Sequence, residues 1–235
     1  MGTQRLFIIA SLFVLGFAVL IGYLDSIKER FYIFDPVQLQ ALAQRALVAN
    51  GHLNISNGQL VSIPQASANA TRPVIDYIVA ELRATVDTRY LTTSEEWIFN
   101  NAGGAMGAMF IIHASLTEYL IIFGTPLGTE GHTGLHTADD YFHILHGEQW
   151  AFSAGSLDKE VYGVGSVHFL PKGTSKQFKM HRGCWALEYA RGWIPPMMPF
   201  GLADTFTSTL DFVTLYHTIR ISAREMIRNV LQMKI

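Results

Sequence analysis

"CWALEYARGW", residues 184–193, is the stretch on which the reading of this chain turns. Its apolar density suits a strand, yet Glu188 stands in the middle of it. Most glutamates stay in water, and burying one without a partner costs several kcal/mol in order of magnitude. Side chains alternate along a strand. Trp185, Leu187 and Tyr189 therefore share one face, and Ala186, Glu188 and Ala190 the other. The two alanines leave room for something to approach the carboxyl. The same alternation over "ADDYFHIL", residues 138–145, groups Asp140 with Phe142 and Ile144, opposite Asp139, Tyr141 and His143. Asp140 is thus a second acid on an apolar face. If both faces line one interior, two carboxyls meet in a greasy cavity where both cannot ionise cheaply. One keeps its proton, its pKa rises, and the pair titrates as a unit holding an acid and a base together. A plainer alternative stays open at this point: Asp139 and Asp140 as turn residues closing "TGLHTADD", and Glu188 paired with Arg191.

Further strand-like segments surround this one. "EWIFNNAGGAMGAMFIIHASLTEYLIIFG" (96–124), "ADDYFHILHGEQWAF", "KEVYGVGSVHFLP" and "TSKQFKM" are short apolar runs separated by Gly or Pro. Their spacing predicts a small barrel or sandwich. Helical periodicity flanks it on both sides. Residues 36–50 carry Leu39, Leu42, Ala43, Ala46 and Leu47 on one face, with Gly51 as C-cap. Residues 73–90 carry Ile75, Ile78, Val79, Leu82 and Val86, with Pro73 near the start. The polar stretch 51–71 between them reads as a loop. Beyond Pro199, residues 200–206 read as a short helix. Thr209–Met233 reads as a longer one, N-capped by Ser208 or Thr209, with Leu210, Val213, Leu215, Ile219, Met226, Ile227, Val230 and Leu231 on its apolar side. Arg220, Arg224 and Arg228 recur at four-residue spacing beside that face, as in an interfacial helix or a packed helix with solvated arginines.

The bulk numbers agree with a membrane or a large apolar cavity. Of 235 residues, 49% are apolar and only 15% charged, well under the roughly 25% of soluble domains. A net charge of -2 offers no basic footprint, which argues against nucleic acid as a partner. Residues 6–24 carry no charge and are just long enough to cross a bilayer. Asp25, Lys28, Glu29 and Arg30 follow where a cleavage site would stand, so this run is expected to be a retained anchor. Cys184, the single cysteine, permits no internal disulfide and reads as a small core residue. Asn54 and Asn69 head two glycosylation sequons that would suit a lumenal body. "HILHGE" brings His143, His146 and Glu148 close in sequence, but alternation sends the two histidines to opposite faces, against metal binding. "GTPLGTEGHTG" lacks the Lys-Ser/Thr of a phosphate loop.

At "NNAGGAMGAMFIIHASLTEYLIIFGTPLGTEGHTG", "WALEYARGWIPPMMPFGLADTF" and "STLDFVTLYHTIR" the chain resembles the fungal C-8 sterol isomerases, whose animal relative is the sigma-1 receptor. The resemblance runs from the anchor to about residue 224 and is strongest over 96–215. It implies an α+β fold with four regions: a single-pass transmembrane anchor (1–30), a helical region (31–95), a cupin-like β-barrel holding the ligand (96–195) and membrane-associated C-terminal helices (196–235). It implies residence in the endoplasmic reticulum membrane, a sterol substrate, cationic amphiphilic amines as inhibitors, and a trimer as in the receptor. The family's key glutamate falls on Glu188. In an ungapped alignment its partner acid falls on Phe142, and Asp140, two residues earlier, shares that face and takes the role; Asp139 is the fallback. Cavity positions carried over are Met109, Ile111, Tyr119, Ile121, Phe123, Thr133, Phe142, His168, Ile194 and Met198, with the Tyr119 hydroxyl in reach of an acid. Moving a ring double bond from C8–C9 to C7–C8 involves no net redox change, so no cofactor is expected. Phe123, Tyr141 or Trp185 would support a cationic intermediate if they face inward.

Overall fold

Residues 2–56, 59–63 and 71–235 are described by the computed structural model. The uncharged run forms α1 (Gly2–Ile27), with Leu6 through Leu20 exposed wherever large and apolar. By length and composition α1 is able to cross a membrane. It belongs to a first unit ending at Tyr32; Ile33–Ile235 forms the second.

Helix α2 (Pro36–Ala49) starts with Pro36 at its first position, and the Asp35 carboxylate accepts a hydrogen bond from the Gln38 N–H at 2.9 Å. It buries Leu39, Leu42, Ala43, Ala46 and Leu47. Helix α3 (Thr71–Thr85) buries Val74, Ile75, Ile78 and Leu82. Between them lies not simply a loop but an antiparallel pair, β1 (Leu53–Ser56) and β2 (Gln59–Ser62). All four residues of β2 are exposed, so no burial alternation marks it in the sequence. Asn54 sits exposed on β1, and Asn69 falls outside the described residues.

Ten strands follow: β3 (Trp97–Ala102), β4 (Ala105–Ala114), β5 (Glu118–Thr125), β6 (Thr129–His132), β7 (Ala138–His146), β8 (Gln149–Phe152), β9 (Glu160–Tyr162), β10 (Val167–Leu170), β11 (Gln177–Met180) and β12 (Cys184–Gly192). They form a six-stranded sheet, β10-β7-β12-β5-β4-β3, and a four-stranded sheet, β6-β11-β8-β9, antiparallel throughout. The fold is thus α+β, with β12 central in the large sheet. One face of that sheet packs Phe110, Ile112, Leu120, Ile122, Leu187 and Tyr189 against α2 and α3. The other turns Met109, Ile111, Ile121, Phe123, Ile144 and Ala186 towards Ala151, Phe178 and Met180 of the small sheet. Each fully buried large side chain contributes about 1.5–3 kcal/mol of transfer free energy.

One irregularity corrects the sequence reading. Where β7 pairs with β12, His146 lies opposite Trp185 and Ile144 opposite Ala186, so Leu145 is an extra residue. This bulge brings His143 and His146 onto the same, helix-covered side rather than opposite faces. The His143 Nδ1 meets Gln40 Oε1 at 2.6 Å, and the His146 ring lies 5.7 Å from that of His52. No three His, Cys, Asp or Glu side chains gather in a metal-holding group among the described residues.

The C-terminal segment continues through α4 (Met198–Asp204), one π-helical turn (Thr205–Thr209) and Leu210 in the left-handed region at φ 52°. Helix α5 (Phe212–Leu231) follows, starting later than expected. Its N-cap is Asp211, which accepts from the Thr214 N–H at 2.9 Å, rather than Ser208 or Thr209. Its burial departs from the expected face, although Met226 does pack against the core. Val213, Ile219, Ile227, Val230 and Leu231 are exposed, whereas Thr218, Ile221, Ser222, Glu225 and Asn229 are buried. The three arginines are not free in solvent: Arg220 and Arg224 clasp Glu96, and Arg228 pairs with Glu225.

Candidate active site

The space between the two sheets is a cavity closed at one end by α4 and along one side by α5. It holds about 1050 Å³ of space between atoms, its open mouth included. Its wall is mainly apolar: Met109, Ile121, Phe123, Phe142, Leu170, Phe178, Ile194, Met198 and Phe200. Gly134, at φ +87°, suits the close approach of this loop to the cavity wall, because a Cβ there would stand 2.6 Å from His136 Nε2 and 2.8 Å from the Phe200 ring.

Into this wall three neighbouring strands project polar groups. Ala190 of β12 pairs with Asp140 of β7 on one side and with Tyr119 of β5 on the other. Glu188, two residues along β12, is therefore the diagonal neighbour of both. Diagonal neighbours lie about 7–8 Å apart at Cα, within reach of long side chains. Ala186 and Ala190 keep the space around Glu188 open. Asp140 is 2% exposed, and its Oδ1 has no hydrogen-bond partner among the described residues. Glu188 is half-buried, and the surface it keeps is on the cavity wall. Loss of water pushes the Asp140 carboxyl up from the ordinary carboxylate range, partly offset by the Tyr141 backbone N–H. Glu188 is raised well above that range, first by burial and then by the charge of Asp140. Both shifts favour the protonated form of the carboxyl. The Tyr119 hydroxyl meets Ser222 Oγ of α5 at 3.2 Å, and burial, more than the nearby Glu188, raises its pKa.

Most of the expected wall residues line the cavity: Met109, Tyr119, Ile121, Phe123, Thr133, Phe142, His168, Ile194 and Met198. Ile111 does not reach it; the residue packs in the inner core beside the cavity. Asp139 does not face it either. Its carboxylate accepts from the Lys172 N–H at 2.9 Å and lies 4.0 Å from the Arg191 guanidinium. Arg191 thus sits beside Asp139 and over the Tyr141 ring rather than on Glu188. Tyr141 and Trp185 point to the opposite face, stacking on Phe169 and edge-on to Trp97, so of the three aromatic candidates only Phe123 is inside. Gln149, His136, Phe178, Phe200 and Thr218 also line the cavity and were not anticipated. Gln149 and Phe178 belong to four-residue strands whose inward face short alternation could have shown. Thr218, on the buried polar side of α5, has no such signal.

Fold and site together define a protein of two facing β-sheets around a mainly apolar cavity with two acids on one wall. A family model described as "ERG2 and Sigma1 receptor like protein" matches residues 11–234, so the chain belongs to that family. The C-8 sterol isomerase erg2 of Aspergillus fumigatus is 57% identical over 230 residues, 98% of this chain and 89% of that one. The C-8 sterol isomerase ERG2 of Gibberella zeae is 50% identical over 234 residues, 100% of this chain and 92% of that one. The sigma non-opioid intracellular receptor 1 of Xenopus tropicalis is 40% identical over 153 residues, covering 64% of this chain and 68% of the receptor. Among solved structures, an RmlC-like cupin from Shewanella frigidimarina shares 15% identity at a TM-score of 0.36, covering 42% of this chain and 85% of that one.

Proposed function

We propose that the chain is a C-8 sterol isomerase that moves a ring double bond from C8–C9 to C7–C8, as in converting fecosterol to episterol, using Asp140 and Glu188 as one proton-sharing pair. Protonating an unactivated alkene needs a neutral carboxylic acid in a dry site. The cation it creates needs negative charge nearby. A proton is added at C9, the C8–C9 π electrons form the new C–H bond, and C8 becomes cationic. The C7–H bond then breaks, its electrons close the C7–C8 double bond, and its proton returns to the acid pair. Glu188 faces the cation, Asp140 shares its proton, and Phe123 lends its ring face. The single observation that carries this reading is the placement of both acids on adjacent strands of one apolar wall. Near-full-length likeness to fungal enzymes of that name supports the same conclusion. The family relationship further supports residence in the endoplasmic reticulum membrane, with α1 as a single-pass anchor, the outward face of α5 at the membrane surface, and trimers.

Cationic amphiphilic amines, which mimic the C8 cation, bind by pairing with Glu188. Expression in a cell lacking its own Δ8–Δ7 isomerase tests the function. Restored Δ7 sterols support it. An unchanged Δ8 profile beside retained amine binding would instead describe a binding protein of the receptor kind.

A further inference from the structure

At the far side of the same wall a second polar group has no role in the chemistry above. His168 of β10 lies directly opposite Phe142 of β7, and Leu170 directly opposite Asp140. His168 is thus the diagonal neighbour of Asp140, about 7–8 Å away along the sheet. It is 1% exposed, lines the cavity, and has its ring stacked on Tyr162 at 4.4 Å between centroids. Its Nδ1 lies 2.9 Å from Gln149 Oε1, and its Nε2 is buried with no partner among the described residues.

The amide Oε1 can only accept, so Nδ1 carries the hydrogen and donates it. Burial pushes the imidazole pKa down to about 4, so the ring is neutral at physiological pH. Nε2 is then a buried acceptor lone pair, without a donor among the described residues, on a side chain that lines the cavity. A buried acceptor left without a donor is costly, and a ligand donor would recover that cost.

We propose that His168, fixed by Gln149, is the hydroxyl-reading subsite of this cavity, accepting a hydrogen bond from the alcohol that the bound ring system carries one ring away from its reacting carbons. The inference rests on the reading of Asp140 and Glu188 as the reacting site, since it assigns the neighbouring ring of the same ligand. A sterol carries its hydroxyl on the ring adjoining the one that reacts, which matches the short step from His168 to Asp140 on the neighbouring strand. The subsite demands a donor. A free secondary alcohol satisfies it, whereas a ketone or a methyl ether at that carbon has no hydrogen to give.

The test uses the full-length protein in detergent and three saturated probes that cannot isomerise: a 3β-hydroxysterol, its 3-ketone and its 3-methyl ether. Binding is read by displacement of a fluorescent sterol. The wild-type protein is expected to hold the alcohol at least about tenfold tighter than the ketone or the ether. His168→Phe keeps the ring stack and is expected to lower alcohol affinity to the ketone's level while leaving ketone affinity where it was. Equal affinity of the wild type for all three probes overturns the proposal without any variant. An unchanged alcohol preference in His168→Phe overturns it as well. Gln149→Leu, which releases the tautomer, is expected to narrow the preference and serves where His168→Phe does not fold. Turnover of a Δ8 sterol is measured beside these. If turnover is absent but the alcohol preference holds, the isomerase reading fails and the subsite stands.

Discussion

At the scale of single residues, the chemistry depends on where Glu188 and Asp140 point. Alternation around "LEYAR" and "DDYF" was enough to put both on one face, because strands with period two leave little freedom once one face is apolar. The same rule failed for His143 and His146, because a bulge at Leu145 is invisible in the letters. Glu188→Gln is expected to lower turnover by at least about a hundredfold and to abolish pairing with cationic amines; wild-type values of both would remove Glu188 from the role. Acidity gives a second check. Both acids have raised pKa values in the folded chain, so the folded state binds their protons more tightly than the unfolded one. Their unfavourable contribution is absent below the ordinary carboxylate range near pH 4 and grows as pH rises through the raised values. Asp140→Asn is therefore expected to melt higher than the wild type at pH 7, with the difference shrinking towards pH 4. A Tm difference independent of pH, followed by differential scanning fluorimetry, would contradict this. Buried neutral histidines such as His113 and His143 change stability in the opposite sense, but they are common to both proteins and cancel.

At the scale of elements, α2, α3 and the long strands were legible, since each carries a sustained apolar face. The β1–β2 pair was not, because β2 is exposed throughout and is held by backbone pairing. Helix α5 was legible as amphipathic but not in its direction. Its polar side is the buried one, satisfied by Glu96 on the arginines and by the Asn229 amide donating to the Ala114 carbonyl at 2.7 Å. That inversion brings Ser222 to Tyr119. Ser222→Ala removes one hydrogen bond, worth about 1 kcal/mol, and is expected to lower kcat about fivefold with little change in KM, with Ser222→Thr restoring it. A change in KM alone would mean that Ser222 serves packing. The tail beyond α5 is held by Lys234, whose ammonium lies 2.8 Å from Glu118, both buried. Glu118 also accepts from the Ile33 and Phe34 N–H groups and from the Tyr189 hydroxyl. Lys234→Met strands that carboxylate and is expected to cost about 3–5 kcal/mol, most of it recovered by adding Glu118→Gln. Additive losses in the double variant would deny the coupling.

At the scale of the molecule, low charge and one uncharged run of membrane length announced a chain with an apolar anchor. The barrel's shape was legible as many short strands; which strands close on which was not, because partners such as β7 and β12 lie far apart in sequence. Washing membranes with alkaline carbonate is expected to leave the chain in the pellet, and its release would deny the anchor. The central claim is that a carboxyl stays protonated at neutral pH inside the cavity. Infrared difference spectroscopy of the purified protein at pH 7 measures this through the carbonyl stretch of a protonated carboxylic acid. The account predicts such a band in the wild type and its loss or shift in both Glu188→Gln and Asp140→Asn. Absence of the band, or its persistence unchanged in both variants, contradicts the account.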